Sequence, residues 1–248
     1  MIQTTHLTKY FGKLCAVDSL TLQVDAGEIF GFLGPNGAGK TTTINMLTGL
    51  LQPTSGTATL GGYDIQTQSL QAKAILGLMP DTPQIYETLT GRQFVRLIAD
   101  LYQIPPQQSE NEMEELLRQL ELADAADELI KSYSYGMQKK ILLISVLVHH
   151  PRILFLDEPT SGLDPRSART VREILQERCE QGSTVFLTTH ILEIAERLCD
   201  RVGIINKGQL IAVGTLSELQ AQRDSKSEPQ IAKPTATLED IFLALTEL

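Results

Sequence analysis

Cysteine is scarce in this chain. Its three copies, Cys15, Cys179 and Cys199, are odd in number, widely spaced and free of any C-x-x-C pairing, which excludes a disulfide framework and a zinc site of that type. Long apolar runs are missing too. The longest, Ile141 to Val148 and Ile153 to Leu156, fall far short of the roughly 20 residues that cross a bilayer. Positive charge is in deficit, with 21 Lys and Arg against 30 Asp and Glu, a net charge of -9. That balance disfavours sequence-independent binding to nucleic acid, which depends on cations displacing counterions from phosphates. It also repels anionic headgroups, so no direct lipid anchor is expected and residence at a membrane would need a protein partner. Met1 to His6 has neither the basic start and apolar stretch of a secretory signal nor the Arg-rich character of a transit peptide. The chain is expected in the cytosol.

With 248 residues and 42% hydrophobic content, there is enough sequence to bury a sizeable core. Thr21 to Val24 alternates like a half-buried strand, Asp25-Ala26-Gly27 turns, and Glu28 to Leu33 runs as a buried strand. A glycine-rich loop follows, then a helix over Thr41 to Leu50. From Gly91 to about His150 the periodicity is helical. Within it an acidic stretch, Glu110 to Glu128, carries Leu116, Leu117, Leu120 and Leu122 at helical spacing; its charges are expected on a solvated face. Strands resume at Arg152 to Asp157 and Ser183 to Thr189 with a helix between them over Pro165 to Gln181, the β-α-β rhythm of a parallel sheet. Arg201 to Val213 reads as a hairpin turning at Lys207-Gly208. Ala221 to Pro234 is expected to be a polar linker, and Leu238 to Leu245 a short amphipathic helix.

The loop Gly34-Pro35-Asn36-Gly37-Ala38-Gly39-Lys40-Thr41 fits G-x-x-x-x-G-K-[ST] and sits between a strand and a helix, the context a phosphate-binding loop requires. Gly37 and Gly39 let the backbone turn successive N–H groups toward phosphate oxygens. Lys40 adds a full charge and the following helix its N-terminal partial charge, while Thr41 offers a hydroxyl to Mg²⁺. Downstream, Ile153 to Glu158 is an apolar strand delivering two carboxylates at its C-terminal end, where parallel sheets bind ligands. Asp157 suits Mg²⁺. Glu158, pointing the other way, can polarise an attacking water as general base. Together these motifs predict ATP binding and hydrolysis.

Five motifs in order then resemble the nucleotide-binding subunit of an ATP-binding cassette (ABC) transporter over Met1 to Leu219: the two above, Ser134-Tyr135-Gly136-Met137 as the signature, Ser161-Gly162-Leu163-Asp164 as the D-loop, and His190 as the switch histidine. The resemblance implies an α/β fold, a P-loop NTPase (RecA-like) core with an N-terminal antiparallel β subdomain and a helical subdomain at about 91–150. It implies ATP and Mg²⁺ as ligands, with Phe11, Val17, Asn36, Gly37, Ala38, Gly39, Lys40, Thr41, Thr42 and Asp164 on the nucleotide; Tyr10 is the alternative to Phe11 for stacking on adenine. It also implies a second ABC subunit whose Ser134 and Gly136 complete the site in trans, and separate transmembrane permease subunits that hold the protein on the cytoplasmic face of the membrane. His190 would orient Glu158 and the attacking water. His6, His149 and His150 lack such context and are expected to be ordinary surface or helix-end histidines.

Two positions depart from the family pattern. Asp81 follows Leu78-Met79-Pro80 where glutamine is usual; it is expected to serve catalysis and Mg²⁺, with Gln84 as its competitor. Tyr135 and Met137 replace a glycine and the glutamine of the signature. Together with Tyr86 to Gly91 and Leu238 to Phe242, these changes resemble the ABC-2-type exporter subgroup of EcsA-like and drug-export ATPases, in which Pro83 to Phe94 would line the groove for a coupling helix. The alternative is a soluble ABC ATPase of DNA repair or translation, which usually brings a second cassette, coiled-coil arms or basic insertions.

Overall fold

Apolar and polar residues alternate along β1 (Ile2–Phe11) and β2 (Leu14–Val24), which pair antiparallel; β4 (Ser55–Leu60) and β5 (Tyr63–Asp64) complete a sheet of order β2-β1-β4-β5. Its inward residues, among them Ile2, Leu7, Leu20, Leu22 and Leu60, are buried. The computed structural model describes residues 1–226 and 237–246.

The second sheet has the order β10-β9-β3-β8-β7-β6. It comprises β3 (Ile29–Leu33), β6 (Leu76–Met79), β7 (Ile153–Asp157), β8 (Thr184–Thr189), β9 (Arg201–Asn206) and β10 (Gln209–Gly214). All neighbours are parallel except the β9–β10 hairpin, which turns at Lys207-Gly208 as expected. Strands β3, β7 and β8 are buried on both faces, the reason β3, β7 up to Leu156 and the centre of β8 run apolar without alternation, with the threonines at the ends of β8 buried as well. Phe155 and Phe186 point to the side shared with the antiparallel sheet and with α1 (Lys40–Leu47), where Phe30 and Phe32 join them. Leu154, Leu156, Val185 and Leu187 point to the opposite side, under Val171, Ile174 and Leu175 of α6 (Pro165–Glu180).

The helical insertion is α3 (Gly91–Leu101), α4 (Pro106–Gln119) and α5 (Tyr135–Leu147); two short helices, α2 (Ser69–Ala74) and α7 (Leu192–Leu198), lie outside it. A capping box between Thr90 and Gln93 starts α3. The apolar spacing of α4 puts Met113, Leu116 and Leu117 in the core. Its acidic face is more than the solvated surface expected. Glu110 pairs with Arg92 and Arg96 of α3, and Glu112 with Arg178 of α6, so part of this charge ties the insertion to itself and to the central sheet's helices.

His149 is buried rather than at the surface, its ring stacked on Tyr102 with centroids 3.7 Å apart. Burial, with the neighbouring His150, pushes its pKa down from 6.5 to about 4. The unfolded chain therefore takes up a proton on falling below about pH 6.5, which the folded chain refuses until about 4. This contribution is full above pH 6.5 and is lost as pH falls toward 4, by about 3 kcal/mol at the lower end. His149→Phe keeps the stacking and removes the titration. Thermal unfolding between about pH 7 and pH 4.5 should show a shallower loss of stability in this variant than in the parent, and equal slopes would rule the assignment out.

At the C-terminal end the expected polar linker is partly helix: α8 runs over Leu216–Lys226, and residues 227–234 of the expected linker lie outside the described residues. The short terminal helix is α9 (Leu238–Thr246). Its Leu238 and Ile241 are fully buried against Leu33, Ala195, Ile204 and Leu219, so this segment belongs to the core instead of trailing from it. The three cysteines are free, and burial raises the thiol of Cys179 to about 12 and that of Cys199 higher still, which leaves these two inert. Among the described residues no helix is long and apolar enough to cross a membrane.

Candidate nucleotide-binding site

Strand β3 ends at Leu33 and the chain turns at once into the glycine-rich loop and α1. Gly39 precedes the helix at φ 109°, and a Cβ there would stand 2.5 Å from the carbonyl oxygen of Ala16. No other residue fits that turn. The β9–β10 turn braces the loop from outside, the N–H of Gly208 donating to the carbonyl of Ala38 at 2.9 Å. Lys40 is folded over the loop, its Nζ donating to the carbonyls of Gly34 at 2.7 Å and Pro35 at 3.2 Å. Burial lowers its pKa, while Glu158 and Asp157 oppose that effect and favour the charged form.

Parallel pairing of β7 with β8 brings the C-terminal ends of both strands beside this loop. Asp157 is buried; its Oδ2 accepts from the Thr41 hydroxyl at 2.9 Å and its Oδ1 from the Thr188 hydroxyl. Glu158 follows in a left-handed conformation, φ 52°, unusual for a residue with a side chain. Its N–H donates to the Thr188 carbonyl at 3.1 Å, and its Oε1 lies 2.8 Å from Nδ1 of His190. Phe11, Leu14, Ala16, Asn36, Gly37, Gly39, Lys40, Thr41, Thr42, Asp81, Asp157 and Glu158 line one open cleft.

The cleft thus combines a curled loop of backbone donors, the N-terminus of a helix, a lysine, a hydroxyl–carboxylate pair and a second carboxylate held by a histidine. Such a set binds a polyphosphate and can polarise a water beside it. The sequence profile of the ABC transporter family matches residues 17–161. The chain belongs to the ABC transporter family. Over 219 residues it is 38% identical to the linearmycin resistance ATP-binding protein LnrL of Bacillus subtilis, covering 88% of this chain and 70% of that one. The daunorubicin/doxorubicin resistance ATP-binding protein DrrA of Streptomyces peucetius is 39% identical over 224 residues, 90% of this chain and 68% of its own. A solved ATP-binding subunit of an ABC transporter superimposes with a TM-score of 0.91 at 30% identity, covering 98% of both chains. The protein is an ATP-binding, ATP-hydrolysing subunit of an ABC transporter.

Within this ABC subunit most of the residues anticipated for the nucleotide meet in the cleft, with three exceptions. Val17 is fully buried beneath the loop, its Cγ2 3.3 Å from where a Cβ on Gly39 would stand, and Ala16 lines the cleft in its place. Ala38 turns its methyl into the core. Asp164 caps α6, with Oδ1 accepting from the Ser167 N–H at 2.9 Å and Oδ2 from the Ser167 hydroxyl at 2.5 Å. Those hydrogen bonds lower its pKa to about 2, so in its own chain this residue is a helix cap and lies outside the cleft.

Ser134 and Gly136 also lie away from the cleft of their own chain, at the start of α5, where Ser134 Oγ accepts from the Met137 N–H at 3.3 Å. Of the two aromatic candidates Phe11 lines the cleft and Tyr10 does not; of the two Q-loop candidates Asp81 does and Gln84 does not. Four participants were missed: Leu14 and Ala16 line the cleft, the Thr188 hydroxyl donates to Asp157, and Lys139 Nζ donates to Asp81 Oδ1 and the Glu158 carbonyl. Leu14, Ala16 and Thr188 are ordinary residue types in strands, given a role only by strand register, and Lys139 gives no outward sign of its burial.

Proposed function

We propose that this subunit drives an ABC-2-type exporter by closing on a second ABC subunit around two ATP molecules. The observation that carries the reading is the split site. The phosphate cleft holds loop, lysine and carboxylates, whereas Ser134 and Gly136, at the N-terminus of the 13-residue helix α5, contribute nothing to it in their own chain. Facing the cleft of another subunit, that N-terminus would supply the missing donors to the γ-phosphate. ATP then bridges the two halves, and its hydrolysis removes the bridge.

Thr41, Asp157 and Asp81 are the residues that would hold Mg²⁺. The 2.9 Å between Thr41 Oγ1 and Asp157 Oδ2 matches the spacing of adjacent ligands around an octahedral ion bonded at about 2.1 Å, so the pair fits the ion directly or through water. When bound, Mg²⁺ supplies charge neutralisation on the phosphates. Glu158 accepts the proton of the attacking water and His190 keeps the carboxylate turned toward it. Phe11, exposed beside the loop, offers its face to adenine.

Relatives named for resistance to linearmycin and to daunorubicin support export over import. The half-exposed stretch Pro83 to Phe94, with Tyr86 outermost and edge-on to Phe94, is the groove for a coupling helix of the permease, which would hold the subunit at the membrane's cytoplasmic face. The soluble alternative draws no support from helix length, since α6 with 16 residues is the longest helix among the described residues.

Co-purification from detergent-solubilised membranes tests this. The expected result is a membrane-spanning chain retained with this subunit, together with ATPase activity that exceeds that of the subunit alone. Recovery solely with ribosomes or DNA would overturn it.

A further inference from the structure

Two of the residues that depart from the family pattern, Asp81 and Tyr135, converge on one buried lysine. Lys139, on the first turns of α5, is fully buried, and its Nζ donates to Asp81 Oδ1 at 3.2 Å and to the carbonyl of Glu158 at 2.7 Å. The same ammonium lies 5.6 Å from the ring centre of Tyr135, whose hydroxyl donates to the Asp81 carbonyl at 3.2 Å. That ring also fills the space over Gly162 in the D-loop, where a Cβ would come within 2.7 Å of it.

Each contact has a physical reason. A fully buried ammonium needs acceptors, and here it has a carboxylate, a carbonyl and an aromatic face. An aspartate at the rim of a triphosphate cleft repels its ligand unless a cation offsets it. Glu158 needs its left-handed backbone held from both sides, and Lys139 joins the Ser161 N–H in gripping its carbonyl while the Thr188 carbonyl takes its N–H.

We propose that Asp81 and Lys139 are a matched pair. Lys139 is a positioning residue with two duties, neutralising the Asp81 carboxylate at the phosphate cleft and fixing the backbone that aims Glu158; Tyr135 closes the pair off from the D-loop side. The inference rests on the cleft being the ATP site, and it explains how aspartate and tyrosine stand where the family usually has glutamine and glycine.

Two charge-removing variants of the full chain separate the duties, read by the dissociation constant of metal-free ATP in EDTA, where Asp81 has no Mg²⁺ to hold, and by turnover with Mg²⁺. Lys139→Met strands the Asp81 carboxylate. The dissociation constant should rise about tenfold, the size expected of one uncompensated unit charge within roughly 10 Å at an effective dielectric near 20, and turnover should fall with it. Adding Asp81→Asn should bring metal-free affinity back to within about threefold of the parent, while turnover stays below that of Asp81→Asn alone, because the Glu158 carbonyl then keeps only the Ser161 N–H. Lys139→Arg keeps the charge and should keep the affinity. If Lys139→Met does not fold, Lys139→Gln takes its place with the same expected pattern.

Affinity in the double variant no better than in Lys139→Met overturns the charge pairing, and turnover in the double variant equal to that of Asp81→Asn alone overturns the grip on Glu158. A parent chain that fails to bind ATP instead refutes the cleft assignment itself.

Discussion

Glu158→Gln should leave Mg-ATP binding intact and cut ATP turnover by about 10²- to 10⁴-fold, the range general-base groups contribute. The substitution keeps the shape of the side chain, its seat against His190 and the left-handed backbone beneath it, so nothing that binds phosphate is disturbed. What it removes is the capacity to accept a proton. Bound ATP then persists, and the bridged pair of subunits should accumulate because the event that parts it no longer occurs. Turnover under saturating ATP reads the first effect, and size-exclusion chromatography with and without ATP reads the second. A variant with parental turnover would remove Glu158 from the base role, and one that hydrolyses slowly yet stays monomeric would dissociate catalysis from pairing.

Lys40→Ala should weaken ATP binding by at least tenfold and up to about a thousandfold, since each charge-assisted hydrogen bond lost is worth about 1.5–3 kcal/mol. Lys40 is only 8% exposed and rests on the carbonyls of Gly34 and Pro35 inside the loop, so its ammonium is already placed where phosphate oxygens arrive. The cost of holding a charge at that depth is met in part by Asp157 and Glu158. Alanine removes the charge and leaves those two carboxylates facing an anionic ligand unopposed. Isothermal titration with Mg-ATP measures the loss; unchanged affinity would sink the phosphate-loop assignment. The two variants are complementary, one losing ligand and keeping machinery, the other keeping ligand and losing chemistry.

Sequence reasoning located the parts of the site that local chemistry dictates. A glycine at φ 109°, a lysine after it, and carboxylates at the end of a buried strand are recognisable because the backbone or the ligand tolerates little else there. Alternation and length likewise revealed β7, β8 and the β9–β10 hairpin. The antiparallel sheet was less legible: β1 carries Thr4, His6, Thr8 and Lys9 among its apolar residues, and β4 has Leu60 as its one large apolar residue, so neither stands out until paired with the other.

Contacts set by tertiary packing were not legible at all. Lys139 looks like one of two adjacent surface lysines, yet the rotation of α5 buries it. Val17 and Ala16 differ in which face of β2 they occupy beneath the loop, a matter of register. Asp164 fits the D-loop pattern and, since the Pro that follows it starts a helix, it is also that helix's cap.

The pairing of β3 sets the order in which this protein can be made. Both of its neighbours lie far downstream: Ile29 pairs with Val185 and Phe30 with Arg201. While a ribosome is still producing the first two-thirds of the chain, the phosphate loop therefore hangs from a strand of five apolar residues with no partner on either side. Nucleotide binding cannot help fold the nascent chain, because the carboxylates of β7 and the histidine after β8 reach the loop only when that closure is made. Activity should appear late and all at once, and the interval before it is when this chain is most open to wrong strand pairing.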